Sequence, residues 1–571
     1  MDDEDRIRRR VIVVAVLIGI GFVIIVGRLF DLQVLRAEEF TKLANRQHQK
    51  TLTVQAGRGA MYDRNGNILA INMDVPSVFG APKYVSDPRA TATRLNLALK
   101  TDVRQLESKL TSGRDFVWLA RRLEPERAEQ LRGLSLSGIG VIPEGRRFYP
   151  KGAMLSHVLG FANIDNQGLE GLERRYDDQL RGERGRLVVE QDAFGSAVLQ
   201  KDLNYVAPSP GHDLTLTIDE VIQYYAEQEL HEVVTRTRAA SGVVIVVEPQ
   251  TGAILALAVR PTFDPNMPKG DASLWRNRAI NDAYEPGSTF KLVAAAAALE
   301  DKLVSPDELI YGEEGAFAVE NTVVHDSHKY GWMTFAQVLH RSSNIGMVKV
   351  AQRLGPEKLF RAITAFGFGR KTDVDLSGEQ RGIIKDPQAW SRRTLASLAM
   401  GQEIGATPMQ IVMAMSAIAN GGALMRPFVV SEVRAPNGDQ VARAEPVVRG
   451  RAVSSGTANA MRDILRGVVL PGGTGTLAAV HGYDVAGKTG TAQKIDPLTG
   501  GYSATKMVSS FVGFLPAGDP KLCILVMVDE PQTDQWGGTV AAPVFHRIAA
   551  QAVRHLGILP TLEASRTLAA R

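Results

Sequence analysis

Ser288 and Lys291 are the residues whose types and spacing first suggest chemistry. The segment Glu285-Pro286-Gly287-Ser288-Thr289-Phe290-Lys291 runs into Leu292-Val293 and the alanines at 294–298. Pro-Gly interrupts the chain and alanine favours helix strongly, so Ser288 is expected in the first helical turn. Lys291 follows three residues later on the same face, within reach of the hydroxyl. A serine needs a base to attack a carbonyl, and an amine serves when burial or a nearby cation lowers its pKa. The helix N-terminus adds positive potential and free N–H groups where an oxyanion forms. By itself the spacing is weak evidence, because an ordinary N-cap serine looks the same. A second copy, Ser503-Ala504-Thr505-Lys506, is expected in a Gly-Tyr turn between strands, with no helix start.

Two further motifs strengthen the first. Ser342-Ser343-Asn344 lies in a polar break before a helical pattern, and Lys488-Thr489-Gly490-Thr491 opens a strand that continues as Ala492-Gln493. Lys488 offers a cation for a carboxylate, Thr489 and Thr491 offer hydroxyls, and Gly490 lets another backbone lie against the strand. Separately they read as a helix cap and a strand end. In the order S-x-x-K, S-x-N, K-T-G they form the motif set of serine acyl-transferases that react with penicillin. His325-x-x-His328 resembles a metal pair, but no third ligand follows at a plausible spacing. Neither a metal nor a cofactor is expected.

These motifs require a sheet and helices to hold them. Residues 242–248 and 254–259 are β-rich and joined by Pro249-Gln250-Thr251-Gly252, a hairpin. A mainly helical region follows at 288–418, and strands return at 484–493, 507–515 and 522–528 before a helical pattern at 540–556. Strands at both ends with helices between them predict an α+β domain, an antiparallel sheet covered by helices. Upstream, 214–218 alternates as a strand, Asp219 caps a following helix, and 207–211 reads as a linker. Residues 94–110 look like one long helix, and Arg64-Asn65-Gly66-Asn67 like a turn.

Composition narrows the class without naming it. The 571 residues are 44% hydrophobic and 22% charged, a globular balance. A net charge of +4 gives no reason to expect a nucleic-acid partner. One cysteine, Cys523, excludes an intrachain disulfide, and its apolar run marks a buried structural thiol. Residues 11–27 are uninterruptedly apolar, with Arg6, Arg8, Arg9 and Arg10 before them and Arg28 after. Extended to 30, the run is long enough to cross a bilayer. No small-residue cleavage pattern follows, so an uncleaved anchor is expected rather than a signal peptide. The Arg6–Arg10 cluster favours an N-terminus on the inside, although Arg28, Arg36, Lys42 and Arg46 roughly balance it. The expected organisation is a cytoplasmic tail (1–10), a transmembrane helix (11–30), a non-catalytic pedestal (31–205), a catalytic domain (206–557) and a tail (558–571).

Arg58-Gly59 with Asp63-Arg64-Asn65-Gly66, then Arg147-Phe148-Tyr149-Pro150-Lys151-Gly152, resemble pedestal boxes of a known family, as do Gly168-x-x-Gly171-x-Glu173 and Leu180-Arg181-Gly182. Across almost its whole length the chain resembles the class B penicillin-binding proteins, membrane-anchored D,D-transpeptidases of the bacterial wall. Ser343-Asn344-Ile345-Gly346, His325-Asp326-Ser327-His328 and Ser510-Phe511-Val512-Gly513-Phe514 are similar to the septal branch, the penicillin-binding protein 3 type. The elongation branch usually carries S-x-D in the middle motif.

The resemblance implies Ser288 as nucleophile and Lys291 as general base, with Ser342 relaying a proton and Asn344 orienting Lys291. It implies that Lys488, Thr489 and Thr491 hold a terminal carboxylate beside Gly490, and that the Ser288 and Thr491 amides form the oxyanion hole. Implied partners are stem peptides ending in D-Ala-D-Ala, β-lactams bound covalently, the membrane, a multi-spanning glycosyltransferase and other division proteins. The implied location is the bacterial inner membrane, catalytic domain in the periplasm. The alternatives are an elongation-specific transpeptidase, a D,D-carboxypeptidase, a β-lactamase or penicillin sensor, and a scaffold acting through the pedestal.

Overall fold

In hydrocarbon a backbone must satisfy its own polar groups, so the apolar run near the N-terminus has helix as its natural form. The computed structural model describes residues 2–38, 40, 49–54, 56–114, 116–134, 136–191, 197–198, 205–320, 322–496 and 499–561. Helix α1 (Asp2–Phe30) covers the run and ends in a π-helical turn, Asp31–Leu35. The stretch Arg6–Leu35 is long and apolar enough to cross a membrane, with mean hydropathy 2.8 in its best window and none of that window buried. Lys42 and Arg46, and residues 562–571 of the tail, lie outside the described residues.

Two compact units make up the chain: Met1–Gly57 with Gly182–Pro210, and Arg58–Arg181 with Gly211–Arg571. In the first, Gln49–Val54 pairs antiparallel with Gly185–Gln191, which also pairs with Ala197–Val198 and Tyr205–Val206. The second begins with β1 (Met61–Tyr62) and β2 (Ile68–Gly80) around the expected turn. Asp63 closes that turn by accepting from the Asn65 and Asn67 amides, both at 2.8 Å. The expected helix at 94–110 is two helices, α2 (Pro88–Leu99) and α3 (Val103–Leu110). Lys100 turns left-handed at φ 52° and Asp102 caps the new start, accepting from the Gln105 amide at 3.0 Å. Strands β3 (Val117–Ala120) and β4 (Ile139–Phe148) flank β2 and complete this part.

Next come β5 (Asp213–Leu216) and α4 (Glu220–Thr237), the latter capped by Asp219 as expected. The expected hairpin is β6 (Ser241–Val247) with β7 (Ile254–Arg260). Helices α5 (Lys291–Glu300), α6 (Phe335–His340), α7 (Asn344–Leu354) and α8 (Pro408–Ala419) follow. Then come β8 (Val430–Arg434), β9 (Gln440–Arg443) and α9 (Ser455–Arg466). The chain closes with β10 (Ala486–Ile495), β11 (Tyr502–Leu515), β12 (Leu522–Asp529) and α10 (Ala542–His555).

An antiparallel sheet of order β7-β6-β12-β11-β10 forms the core of the C-terminal half. Strands β6 and β12 are buried along almost their whole length because both sheet faces are covered, which is why they read as continuous apolar runs. Val244, Val246, Ile524 and Val526 pack with Ile222 and Leu230 of α4 and Phe545 and Ile548 of α10. On the other face Val243, Ile245, Cys523 and Leu525 pack with the alanines of α5 and with Val412 and Met415 of α8. Cys523 is fully buried and burial pushes its thiol up to about 12, consistent with a structural residue. A second sheet, β9-β8-β5-β1-β2-β3 with β4 against β2, runs from the C-terminal half into the pedestal strands. Its junction is a parallel pairing of Met61 with Leu214.

Candidate active site

Pro286 and Gly287 bend the chain into a 3-10 turn, Gly287–Phe290, which passes directly into α5. Ser288 therefore stands one turn before Lys291, at the helix entrance. It is partly exposed and caps nothing, and its hydroxyl forms no hydrogen bond among the described residues. The ordinary N-cap reading of this serine is thus overturned. The turn lies directly on β10: a Cβ at Gly490 would stand 2.4 Å from Ser510 Oγ and 2.8 Å from Thr289 Cγ2. Gly287, at φ +55°, faces the Thr491 carbonyl as closely, 3.1 Å from a built Cβ. Gly490 is bare because Ser510 of β11 and the serine turn together occupy the space a side chain would take.

Lys291 is fully buried, and its Nζ donates to Ser342 O at 2.6 Å and Asn344 Oδ1 at 2.7 Å, with Ser342 Oγ at 3.3 Å. Burial lowers this amine to about 7, and the charge of Asp326 keeps it from falling further. Lys488, also fully buried, donates to Ser342 Oγ at 2.9 Å and Thr489 O at 3.1 Å. Burial first, and the neighbouring Lys291 second, push Lys488 well below its usual range. Ser342 Oγ therefore lies between two amines. Its backbone is held left-handed at φ 57°, a strained conformation for a residue with a Cβ.

Sequence reasoning missed the residue that braces this loop. Asp326 accepts from Ser343 Oγ at 2.6 Å and from the Asn344 amide at 2.5 Å, and so caps α7 from outside its own segment. The Ile345 amide also donates to Asp326, at 3.2 Å. Asn344 Nδ2 donates to the neighbouring His325 carbonyl at 2.9 Å, which turns Oδ1 toward Lys291. The segment His325-Asp326-Ser327-His328 was visible as a family likeness, but its task was not.

On β10, Thr489 Oγ1 lies 2.8 Å from Thr474 Oγ1, and Thr491 Oγ1 accepts from the Gly537 amide at 3.1 Å. Ser503 and Lys506 stand on β11, not in a turn, because the hairpin extends to Tyr502, where Ile495 pairs with it. Ser503 Oγ accepts from the Thr505 and Lys506 amides, so its hydroxyl is tied to its own strand. Lys291, Ser342, Asn344, Lys488 and Thr489 form one hydrogen-bonded chain, with Gly490 and Thr491 next along the same strand and Ser288 in the turn that leads into the Lys291 helix. A free hydroxyl, a buried amine of lowered basicity and a cluster of donors suit acyl transfer through serine.

The family model described as penicillin binding protein transpeptidase domain matches residues 242–550, and the penicillin-binding protein dimerisation domain matches 53–216. The chain belongs to the class B penicillin-binding proteins. Among its relatives, Stage V sporulation protein D of Bacillus subtilis is 37% identical, covering 97% of this chain and 87% of the relative. The peptidoglycan D,D-transpeptidase FtsI of Escherichia coli is 32% identical, covering 95% and 91%. The crystal structure of penicillin-binding protein 3 from Mycobacterium tuberculosis, complexed with aztreonam, superposes with a TM-score of 0.70 at 30% identity, covering 90% and 98%.

In the pedestal, the box residues Arg58, Asp63 and Glu173 are buried rather than facing solvent. Glu173 sits between Arg58 Nε at 2.5 Å and Arg147 Nε at 2.6 Å, and Arg58 Nη1 reaches Asp177 at 2.7 Å. Burial pushes the Glu173 carboxyl up, but the two guanidiniums outweigh it and hold the group below its usual range. Arg64, beside Asp63 in the same box, is exposed.

Proposed function

We propose that this protein crosslinks peptidoglycan as a septal D,D-transpeptidase, with Ser288 as nucleophile and Lys291 as its base. The observation that carries the assignment is the state of Lys291. Burial brings its basicity to about 7, and two N–H groups are engaged by Ser342 O and Asn344 Oδ1. A neutral amine so held keeps one lone pair free for the Ser288 proton.

Ser288 attacks the carbonyl between the terminal D-alanines of a stem peptide as Lys291 takes its proton. The oxyanion is received by the Ser288 and Thr491 amides, and Lys488, Thr489 and Thr491 hold the terminal carboxylate. As the intermediate collapses, Ser342 delivers the proton to the departing D-alanine amine. That role is supported by its place between Lys291 and Lys488, 3.3 and 2.9 Å from the two nitrogens. An amine of a neighbouring stem peptide then attacks the ester, gives up a proton by the same route and leaves Ser288 free. A β-lactam acylates the same serine.

The domain division read from the sequence, 31–205 and 206–557, is kept as part of this reading, supported by the matches at 53–216 and 242–550. The N-terminus is placed in the cytoplasm and the catalytic part in the periplasm. A multi-spanning glycosyltransferase is the expected partner, since the acyl-transfer set accounts for no glycan polymerisation.

Covalent labelling by a fluorescent penicillin tests the site. Ser288→Ala is expected to abolish it and Ser503→Ala to leave it intact; labelling at Ser503 would refute the assignment. Dimeric muropeptides from lipid-linked substrate would establish a transpeptidase, and D-alanine release without dimers a carboxypeptidase. The Bacillus relative is named for sporulation, so depletion in growing cells decides the stage, with filamentation expected for a septal enzyme.

A further inference from the structure

We propose that Thr474 is a positioning residue of the carboxylate subsite, acting through Thr489; the proposal rests on the acyl-transfer reading above. Thr474 belongs to none of the three motifs. It lies in the turn between α9 and β10, where the Gly473 amide donates to Leu470 O and the Gly475 amide to Val468 O, both at 2.9 Å. The Thr474 amide itself donates at 3.1 Å to the carbonyl of His340, the last residue of α6 and two residues before Ser342. A Cβ on Gly538 would stand 2.4 Å from Thr474 O, so the residue is walled in on that side by the element following β12. The side chain remains exposed, with its hydroxyl 2.8 Å from Thr489 Oγ1.

A hydroxyl has one proton to give and two lone pairs. Thr489 can donate to a ligand carboxylate only if no neighbour takes its single proton, which a neighbour that donates to Thr489 secures. Lys488 Nζ, at 3.5 Å, is too distant to enforce this. Thr474, at 2.8 Å, is near enough. When a carboxylate binds, which accepts only, Thr474 donates to Thr489 and Thr489 donates to the ligand. The same residue, through His340 O, ties the Ser342 loop to the Lys488 strand, so carboxylate binding and the proton relay share one support.

The test uses the full-length protein in detergent and compares acylation by benzylpenicillin with acylation by its methyl ester, which lacks the carboxylate. Thr474→Val is expected to lower the preference for the acid over the ester about three- to tenfold, the size of one lost neutral hydrogen bond. The loss is expected in the binding step, not in the limiting acylation rate. Thr474→Ser restores the preference, and Thr474→Ala, a second variant with a melting temperature recorded beside it, reproduces the loss. In a Thr489→Val background, Thr474→Val has no further effect on the preference, since the two act as one unit. An unchanged preference in Thr474→Val, or an undiminished effect without the Thr489 hydroxyl, would overturn the proposal. Absence of labelling in the unsubstituted protein would instead overturn the acyl-transfer reading.

Discussion

Lys291 and Lys488 are both aliphatic amines buried around Ser342, yet the proposed mechanism gives them opposite tasks. Lys291 must be neutral to accept a proton, and burial brings its basicity to about 7. The rate of acylation by benzylpenicillin is therefore expected to rise with pH and level off above about 7, as measured by stopped-flow. A rate that stayed flat from pH 6 to 8 would remove Lys291 as the base. In the proposed mechanism Lys488 instead serves the carboxylate, beside Thr489, to whose carbonyl it donates at 3.1 Å. Charge-assisted hydrogen bonds contribute about 1.5–3 kcal/mol, so Lys488→Ala is expected to slow acylation by carboxylate-bearing β-lactams roughly ten- to a hundredfold. An unchanged rate would place Lys488 outside the site.

At the scale of elements, the entrance of α7 is the point where structure and chemistry meet. Asp326 caps this helix from a neighbouring strand end and places Asn344 against Lys291. Its negative charge also favours the charged form of Lys291. Asp326→Asn keeps the shape and removes the charge, so Lys291 loses its proton more readily. The midpoint of the pH–acylation curve is expected to move to lower pH, and a shift to higher pH would show that the charge acts in some other way. Asp326→Ala removes the cap as well and is expected to cost about 1 kcal/mol of stability, read by thermal melting.

For the whole molecule, the buried Arg58–Glu173–Arg147 cluster links the strand entry at residue 58 to β4 and to the segment around 173. Removing one partner of a buried ion cluster leaves an uncompensated charge and costs about 3–5 kcal/mol. Glu173→Gln is expected to lower the melting temperature, while the variant kept below that temperature still labels with penicillin. The sign of the pH dependence follows from the lowered Glu173 carboxyl. Its contribution is complete above the ordinary carboxylate value and fades as pH falls through the lowered one. Acid melting of the native chain should therefore be steeper than that of Glu173→Gln; parallel curves would show that the cluster is not the acid-labile part.

Much of this protein was legible in the sequence wherever the determinant is local. The apolar helix over 11–30, the serine turn before five alanines, the Asp219 cap and the apolar strands β6 and β12 each depend on neighbours a few residues away. The three motifs were legible too, because their residue types, spacing and order are distinctive together. Tertiary structure decided what depends on distant partners. The break at Lys100 separates two helices whose combined pattern reads as one, and the hairpin extension places Ser503 on a strand. Met61 pairs with Leu214, so the pedestal and the C-terminal half share a sheet that no local pattern announces. Asp326 and Thr474 stand outside the motifs and reach them by folding, and the burial that lowers Lys291 exists only once helices and strands close around it. Hydrogen-bond partners and desolvation are properties of the packed chain, and a sequence read locally supplies neither.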